Sequence, residues 1–285
     1  MTDERPDQSP ITSPRSERVR RIAALAGRSA RRKQGRFRVE GPQAVRSLLA
    51  EQPQLAADLY LTPDADAAHP ELTRLAGEAR VPVHRVDPPV LGAMVREGDG
   101  ALVTPQGAIA VGHLPSEGED SAADAIRSLP GDGPVTVTVL HEVRDPGNVG
   151  TLIRTADAAG ADLVILTRTC ADPYAPKAVR ASVGSLFHLP VVTGAAIEDV
   201  LQALDAHGIT AAATSGHAEL DLFTADLPAR IAWLMGNEAH GLDAATLQAA
   251  PLAVRIPLAG RAESLNVHTA ATVCLFESLR RRSRT

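Results

Sequence analysis

Aromatic residues are scarce in this chain: one Trp, two Tyr and four Phe among 285 residues, 2% of the total. A protein that reads single-stranded bases by stacking them in series on aromatic rings needs more than this, so serial stacking is excluded as its way of holding a ligand. Leu, Val, Ile and Ala must then fill the core, and a hydrophobic content of 44% suffices for one. The two cysteines, Cys170 and Cys274, lie far apart without metal-ligand spacing. They give neither a disulfide framework nor a zinc site, and no metal is expected; the chain reads as cytoplasmic. No apolar run reaches membrane-spanning length, and Met1–Ser16 is polar and proline-rich, lacking the apolar core of a signal peptide. A Gly-x-Gly-x-x-Gly fingerprint is also missing, which argues against a nicotinamide-dependent oxidoreductase.

The net charge of −5 is unevenly spread. Arg15, Arg18, Arg20, Arg21, Arg28, Arg31, Arg32, Lys33, Arg36 and Arg38 crowd the start, opposed there only by Glu17. Arg280, Arg281, Arg282 and Arg284 close the chain. Such runs are electrostatic footprints for phosphate, or else solvated helix faces and a frayed tail; the sequence leaves both readings open.

After a leader expected to be disordered (1–16), the pattern predicts a helix over Glu17–Ala26, with Val19, Ile22 and Leu25 at helical spacing. Strands are expected at Arg36–Val39, Leu59–Leu61, Val81–Val86 and Ala108–Val111, with helices at Gln43–Glu51 and Glu71–Ala79 between them. This alternation describes a small α/β domain over 17–113. A linker is expected over 114–132, where Pro115–Asp120 and Leu129–Pro134 carry turn residues around one short helical stretch.

From 133 onward the patterning is stronger. Val135–Leu140 is a β-branched run suited to a strand buried on both faces. Further strands are expected at Leu163–Leu166, Thr210–Ala213, Ile231–Met235 and Val254–Ile256, with helices up to Ala159 and at Ile197–His207, Ala244–Ala250 and Asn266–Arg281. Strand and helix alternate, so the fold class is α/β with a parallel sheet covered on both sides.

Three loops at strand ends carry the chemistry. In the first, Pro146, Gly147 and Gly150 permit a tight strand-to-helix turn, and Asn148 and Arg154 lie on the helix that follows. Asn148 is a candidate contact or simply an N-cap, and Arg154 a candidate contact or a surface residue. In the second, Gly236 and Gly241 allow close backbone approach around the carboxylate of Glu238, which otherwise caps the next helix. In the third, a strand ends at Ile256-Pro257, passes Gly260, and reaches Ser264 and Asn266 at the start of the last helix, where Ser264 alone reads as an N-cap.

Taken in order, Asn148-x-Gly150-x-x-x-Arg154-Thr155-Ala156, then Gly236-Asn237-Glu238-x-x-Gly241, then Ile256-Pro257-x-x-Gly260-x-x-x-Ser264-Leu265-Asn266-Val267 resemble the SpoU–TrmH family of SPOUT-class RNA ribose methyltransferases. A further family element, Arg180-x-Ser182-x-Gly184 through Phe187 to Leu189-Pro190, completes a likeness that runs from about 133 to the end. Arg36–Gly41 followed by a helix looks like the opening of the accessory, L30e-like substrate-binding module that members acting on ribosomal RNA carry.

The resemblance implies S-adenosylmethionine-dependent 2′-O-ribose methylation, with 23S ribosomal RNA as the favoured substrate. It implies a deep trefoil knot in the C-terminal domain (133–285), a homodimer packed through that domain, and active sites that borrow residues from the partner. Asn148, Arg154, Glu238, Ser264 and Asn266 fall on the family's catalytic positions, with Glu238 orienting Arg154 or accepting a proton. Thr214, Gly236, Ile256 and Leu265 fall on its cofactor contacts, and Arg31, Arg32, Lys33, Arg36 and Arg38 are the candidate RNA contacts. A guanidinium stays protonated, so Arg154 is expected to stabilise an alkoxide rather than act as a base. His268 stands where many members have Ser, as a tolerated change or an extra phosphate contact. A tRNA methyltransferase, a self-protection enzyme that methylates ribosomal RNA against an antibiotic, and an RNA-binding protein without catalysis are the rival readings.

Overall fold

The computed structural model describes residues 13–96, 106–115 and 121–283. The chain divides into two compact units between Pro115 and Ser116, with Tyr174–Pro176 counted in the first. Most of the disordered leader expected at 1–16, and Arg284 of the closing basic cluster, lie outside the described residues.

The first unit opens with helix α1 (Glu17–Ala23), capped by the Ser16 hydroxyl, which accepts from the Val19 N–H. It then runs through α2 (Arg28–Gln34), β1 (Arg36–Glu40), α3 (Pro42–Glu51), β2 (Ala56–Leu61), α4 (Pro63–Ala68), α5 (Pro70–Glu78), β3 (Val83–Arg85), α6 (Pro88–Met94) and β4 (Ala108–His113). Its four strands form a mixed sheet in the order β1-β4-β2-β3, antiparallel except for the β2–β3 pair. Strand alternation sends Tyr60, Ile109 and Val111 to the face covered by Val19, Ile22 and Leu25 near the start of the chain and by Val90, Leu91 and Met94 of α6.

The second unit contains α7 (Ala122–Arg127), β5 (Val135–Leu140), α8 (Pro146–Ala158), β6 (Leu163–Thr167), α9 (Pro176–Ser182), β7 (Val191–Ala195), α10 (Ile197–Ala206), β8 (Thr210–Thr214), β9 (Leu220–Asp221), β10 (Arg230–Met235), α11 (Ala244–Ala249), β11 (Leu252–Arg255) and α12 (Val267–Arg282). Seven strands in the order β7-β6-β5-β10-β8-β11-β9 pair in parallel throughout. One face packs Val135, Val137, Val139, Ala232 and Leu234 against Val200 and Leu204 of α10 and Ala122 and Ile126 of α7. The short helical stretch of the expected linker is therefore a core element of this unit. On the other face α12 lies against α8 and β10, and the Trp233 indole N–H donates to Ser278 Oγ at 2.9 Å.

Both cysteines are buried and free; Cys170 Sγ donates to the Leu140 carbonyl at 3.1 Å, and burial pushes the Cys274 thiol up to about 12. Among the described residues no helix is long and apolar enough to cross a membrane.

Candidate active site

Because β5, β10, β8 and β11 are neighbours and parallel, the loops that follow them open at the same, carboxyl edge of the sheet. Ligands of open α/β sheets settle in that crevice. The β5 loop enters α8, where the N-cap is Asp145: its Oδ1 accepts from the Asn148 N–H at 3.0 Å. Asn148 is thus not the N-cap but sits inside the first turn. Its amide Nδ2 donates to Glu238 Oε1 at 3.0 Å, joining the β5 and β10 loops across ninety positions of sequence. Glu238 also accepts from the backbone N–H groups of Asp145, at 3.1 Å, and Arg144, at 3.3 Å. Partial burial raises its carboxyl, but the Asn148 amide and the two backbone donors outweigh that and hold it below the usual carboxylate range. Glu238 is therefore a fixed anion that clamps a turn, and it does not bond Arg154 as expected from the sequence.

Arg154 is exposed on α8, and its guanidinium makes no hydrogen bond or ion pair with any described residue. At 1.5 Å per residue it stands about 9 Å along the helix from Asn148, and it bonds neither Asn148 nor Glu238. One position further, Thr155 Oγ1 meets His268 Nε2 at 2.9 Å, which ties the first turn of α12 to α8. His268 is half-buried in this contact.

Gly236 follows β10 directly, and a side chain there would fall on the backbone of Gly241, with which the Asn237 bridge closes a tight hairpin. Thr214 is the last residue of β8, and Ile256 follows β11 directly. From Ile256 to Leu265 the loop makes no hydrogen bond with another described residue. Ser264 is exposed in it, and the N-cap of α12 is Asn266, whose Oδ1 accepts from the His268 N–H at 2.9 Å. A purine nucleoside asks for apolar walls and unpaired backbone donors and acceptors. Half-buried Ile256 and Leu265, with the loop between them, supply both, so these residues fit S-adenosylmethionine.

The basic runs divide. Arg31 is 2% exposed, its guanidinium donating to the Leu25 and Ala26 carbonyls at 2.9 and 2.8 Å. Arg38 is fully buried against Glu40 at 2.7 Å and donates to the Met94 carbonyl at 2.6 Å. Neither is available to RNA, which corrects the expectation for both. Arg32 and Lys33 are exposed, and Arg36 is half-exposed beside Asp58 at 3.7 Å. At the other end, Arg281 donates to the Ala225 and Leu222 carbonyls, and Arg282 caps the carboxyl end of α8 through the carbonyls of Ala159 and Gly160. The closing cluster is structural to that extent. Sequence reading missed Asp145, Lys177 and the Thr155–His268 pair; the Asp-Pro pair that opens α8 signals the first, whereas the other two depend on long-range packing.

A parallel sheet whose carboxyl edge gathers a clamped asparagine, a loop without hydrogen bonds to other described residues and, further along α8, an arginine that pairs with no described residue belongs with the RNA ribose methyltransferases. The SpoU rRNA methylase family model matches residues 135–276, and a model of the RNA 2′-O ribose methyltransferase substrate-binding domain matches 38–115. The chain belongs to this family. It is similar to the 23S rRNA (guanosine-2′-O-)-methyltransferase RlmB of Pseudomonas putida, 32% identical over 248 residues that make up 86% of this chain and 96% of that one. The SpoU methyltransferase AviRb of Streptomyces viridochromogenes in complex with the cofactor AdoMet superposes with a TM-score of 0.78 at 31% identity, covering 95% of this chain and all of that one. An AdoMet-bound rRNA methyltransferase from Sinorhizobium meliloti gives 0.78 at 30% identity, over 95% and 97%.

Proposed function

We propose that this protein methylates a ribose 2′-hydroxyl of 23S ribosomal RNA, with S-adenosylmethionine as donor. The observation that carries the reading is the coupling of Asn148 to Glu238 at the sheet edge, beside the open Ile256–Leu265 loop. Thr214, Gly236, Ile256 and Leu265 hold the cofactor, and when bound it supplies a sulfonium methyl group. Asn148 positions the ribose from a turn that Glu238 and Asp145 keep rigid. Glu238 has its oxygens engaged and its carboxyl held ionised, so its part is orientation, and the departing proton goes to water. Arg154 stabilises the developing alkoxide and the neighbouring phosphate. Ser264 and Asn266 shape the third loop around the ribose.

The separation of Arg154 from Asn148 along α8 supports a homodimer in which each Arg154 serves the site of the neighbouring protomer. Phe276 and Leu258, 43% and 39% exposed, give the faces of α12 and the third loop that such a dimer covers. Insertion of β10 between β5 and β8, followed by the return of α12 against α8, supports a trefoil knot over 133–285. The first unit (17–113) serves as the L30e-like RNA-binding module, with Arg32, Lys33 and Arg36 on the phosphates. A ribosomal substrate supports a cytoplasmic location.

Purified protein incubated with labelled S-adenosylmethionine and unmodified 23S rRNA is expected to yield 2′-O-methylnucleoside. Transfer to tRNA alone would replace the substrate, and transfer to neither would refute the reading.

A further inference from the structure

One side chain outside the family motifs reaches into the site from α9. Lys177 Nζ lies 2.6 Å from Asp145 Oδ2, the oxygen that the N-cap bond to Asn148 leaves over. The same contact is the main reason that the Asp145 carboxyl lies below the usual range. The pair is built rather than incidental. A Cβ at Gly147 would meet Asp145 Oδ1 at 2.7 Å and Lys177 Cε at 3.0 Å, so the glycine gives the lysine its path over the first turn of α8. One residue beyond the lysine, the Ala178 carbonyl occupies the place of any side chain at Gly150, so α9 and α8 touch backbone to backbone. The lysine thus stands on a helix that cannot slide, and it holds one end of a relay from α9 through Asp145 and Asn148 to Glu238 on the β10 loop.

We propose that Lys177 is a positioning residue for methyl transfer, acting through Asp145 to fix the orientation of Asn148. The inference rests on the methyl-transfer reading above. Lys177 and Asp145 are 58% and 43% exposed, and pairs this open add little to stability. The gain lies in geometry: small displacements of a substrate-orienting group cost rate far more than they cost folding.

The test compares Lys177→Met, Lys177→Arg, Asp145→Asn and the Lys177→Met/Asp145→Asn double variant in steady-state transfer to 23S rRNA. Asn keeps the helix cap while discharging the partner. Lys177→Met and Asp145→Asn are each expected to lower kcat about tenfold, with KM for RNA within about twofold. The double variant should lose no more than either single one, and Lys177→Arg should retain most of the rate. Amide exchange across the first turn of α8, followed without substrates, should quicken in Lys177→Met and not in Lys177→Arg. An unchanged kcat and exchange rate in Lys177→Met would overturn the proposal. So would multiplicative losses in the double variant, or a raised KM with a shallower salt dependence, the mark of a direct phosphate contact. Transfer by the unaltered chain is scored alongside, so failure of the methyl-transfer reading registers there and failure of this inference only in the variants.

Discussion

In the first unit arginine side chains close gaps between elements, whereas on α8 of the second Arg154 pairs with no described residue. Arg31 ties α2 to the turn before it, and Arg38 bridges β1 to the end of α6 through the Met94 carbonyl. Arg18 spans from α1 to Asp58 and His84, at 3.1 and 3.0 Å, and lies over the Tyr60 ring. The same residue type serves as mortar at Arg31 and Arg38, as it does at Arg281 and Arg282, and stays open to a ligand at Arg154. Charge density is a property of sequence; the availability of a guanidinium is a property of packing.

The comparison breaks first at Arg38. Replacing it by Ala takes the guanidinium from the buried Glu40 carboxylate, and urea unfolding should show a loss of about 3–5 kcal/mol. Changing both to apolar residues of similar size should recover most of it; unchanged stability with weakened RNA binding would instead make Arg38 a ligand contact. Arg154→Ala should do the reverse. Transfer should fall about 10²–10³-fold with the melting temperature unaltered, as for loss of one oxyanion donor. A fall in melting temperature matching the fall in rate would erase the distinction.

A smaller effect comes from acid. The Arg280 and Arg281 guanidiniums hold the Glu277 carboxyl at about 2, far below its ordinary value of 4.5. A depressed folded-state value gives stability that is complete above about 4.5 and lost as pH falls toward 2. Glu277→Gln should therefore flatten the loss of stability across that window in an acid-unfolding series, and an unchanged profile would remove the pair from the ledger of the fold. Smallest is Lys33→Ala, which should lower the salt slope of RNA binding by about one without touching stability. Its neighbour Arg31, changed to Ala, should touch stability and leave the slope alone.

Much of the second unit is legible in its residues. Val135–Leu140 forms a strand with the expected limits, because six β-branched or aliphatic residues between turn signals leave little else to do. The three motif loops fall at strand ends as expected, since glycine must stand where chains turn or touch. What escapes is local weakness and distant contact. Strand β7 is bulged at Gly194, and two prolines, which give no strand or helix signal in the sequence, open α6 as its first turn. Pro146 and Gly147 are read as part of the strand-to-helix turn, yet Pro146 already begins α8, because Asp145 caps it from just before. The inward course of Arg38 depends on Met94, whose carbonyl receives it from 56 positions away, and no window of sequence contains both.

Strand β10 enters the sheet between β5 and β8, both of which precede it in the chain. Until residues 230–235 arrive, those earlier strands expose unpaired edges to each other and to any other chain nearby. The sheet closes from its middle and late, on contacts separated by about a hundred residues. Pairing of this kind collects its reward only after the entropy of a long closed loop has been met, and it slows folding accordingly. The strand that brings Glu238 to Asn148 is therefore also the step on which refolding of this unit should wait, and the place where crowding of half-folded chains would do most harm.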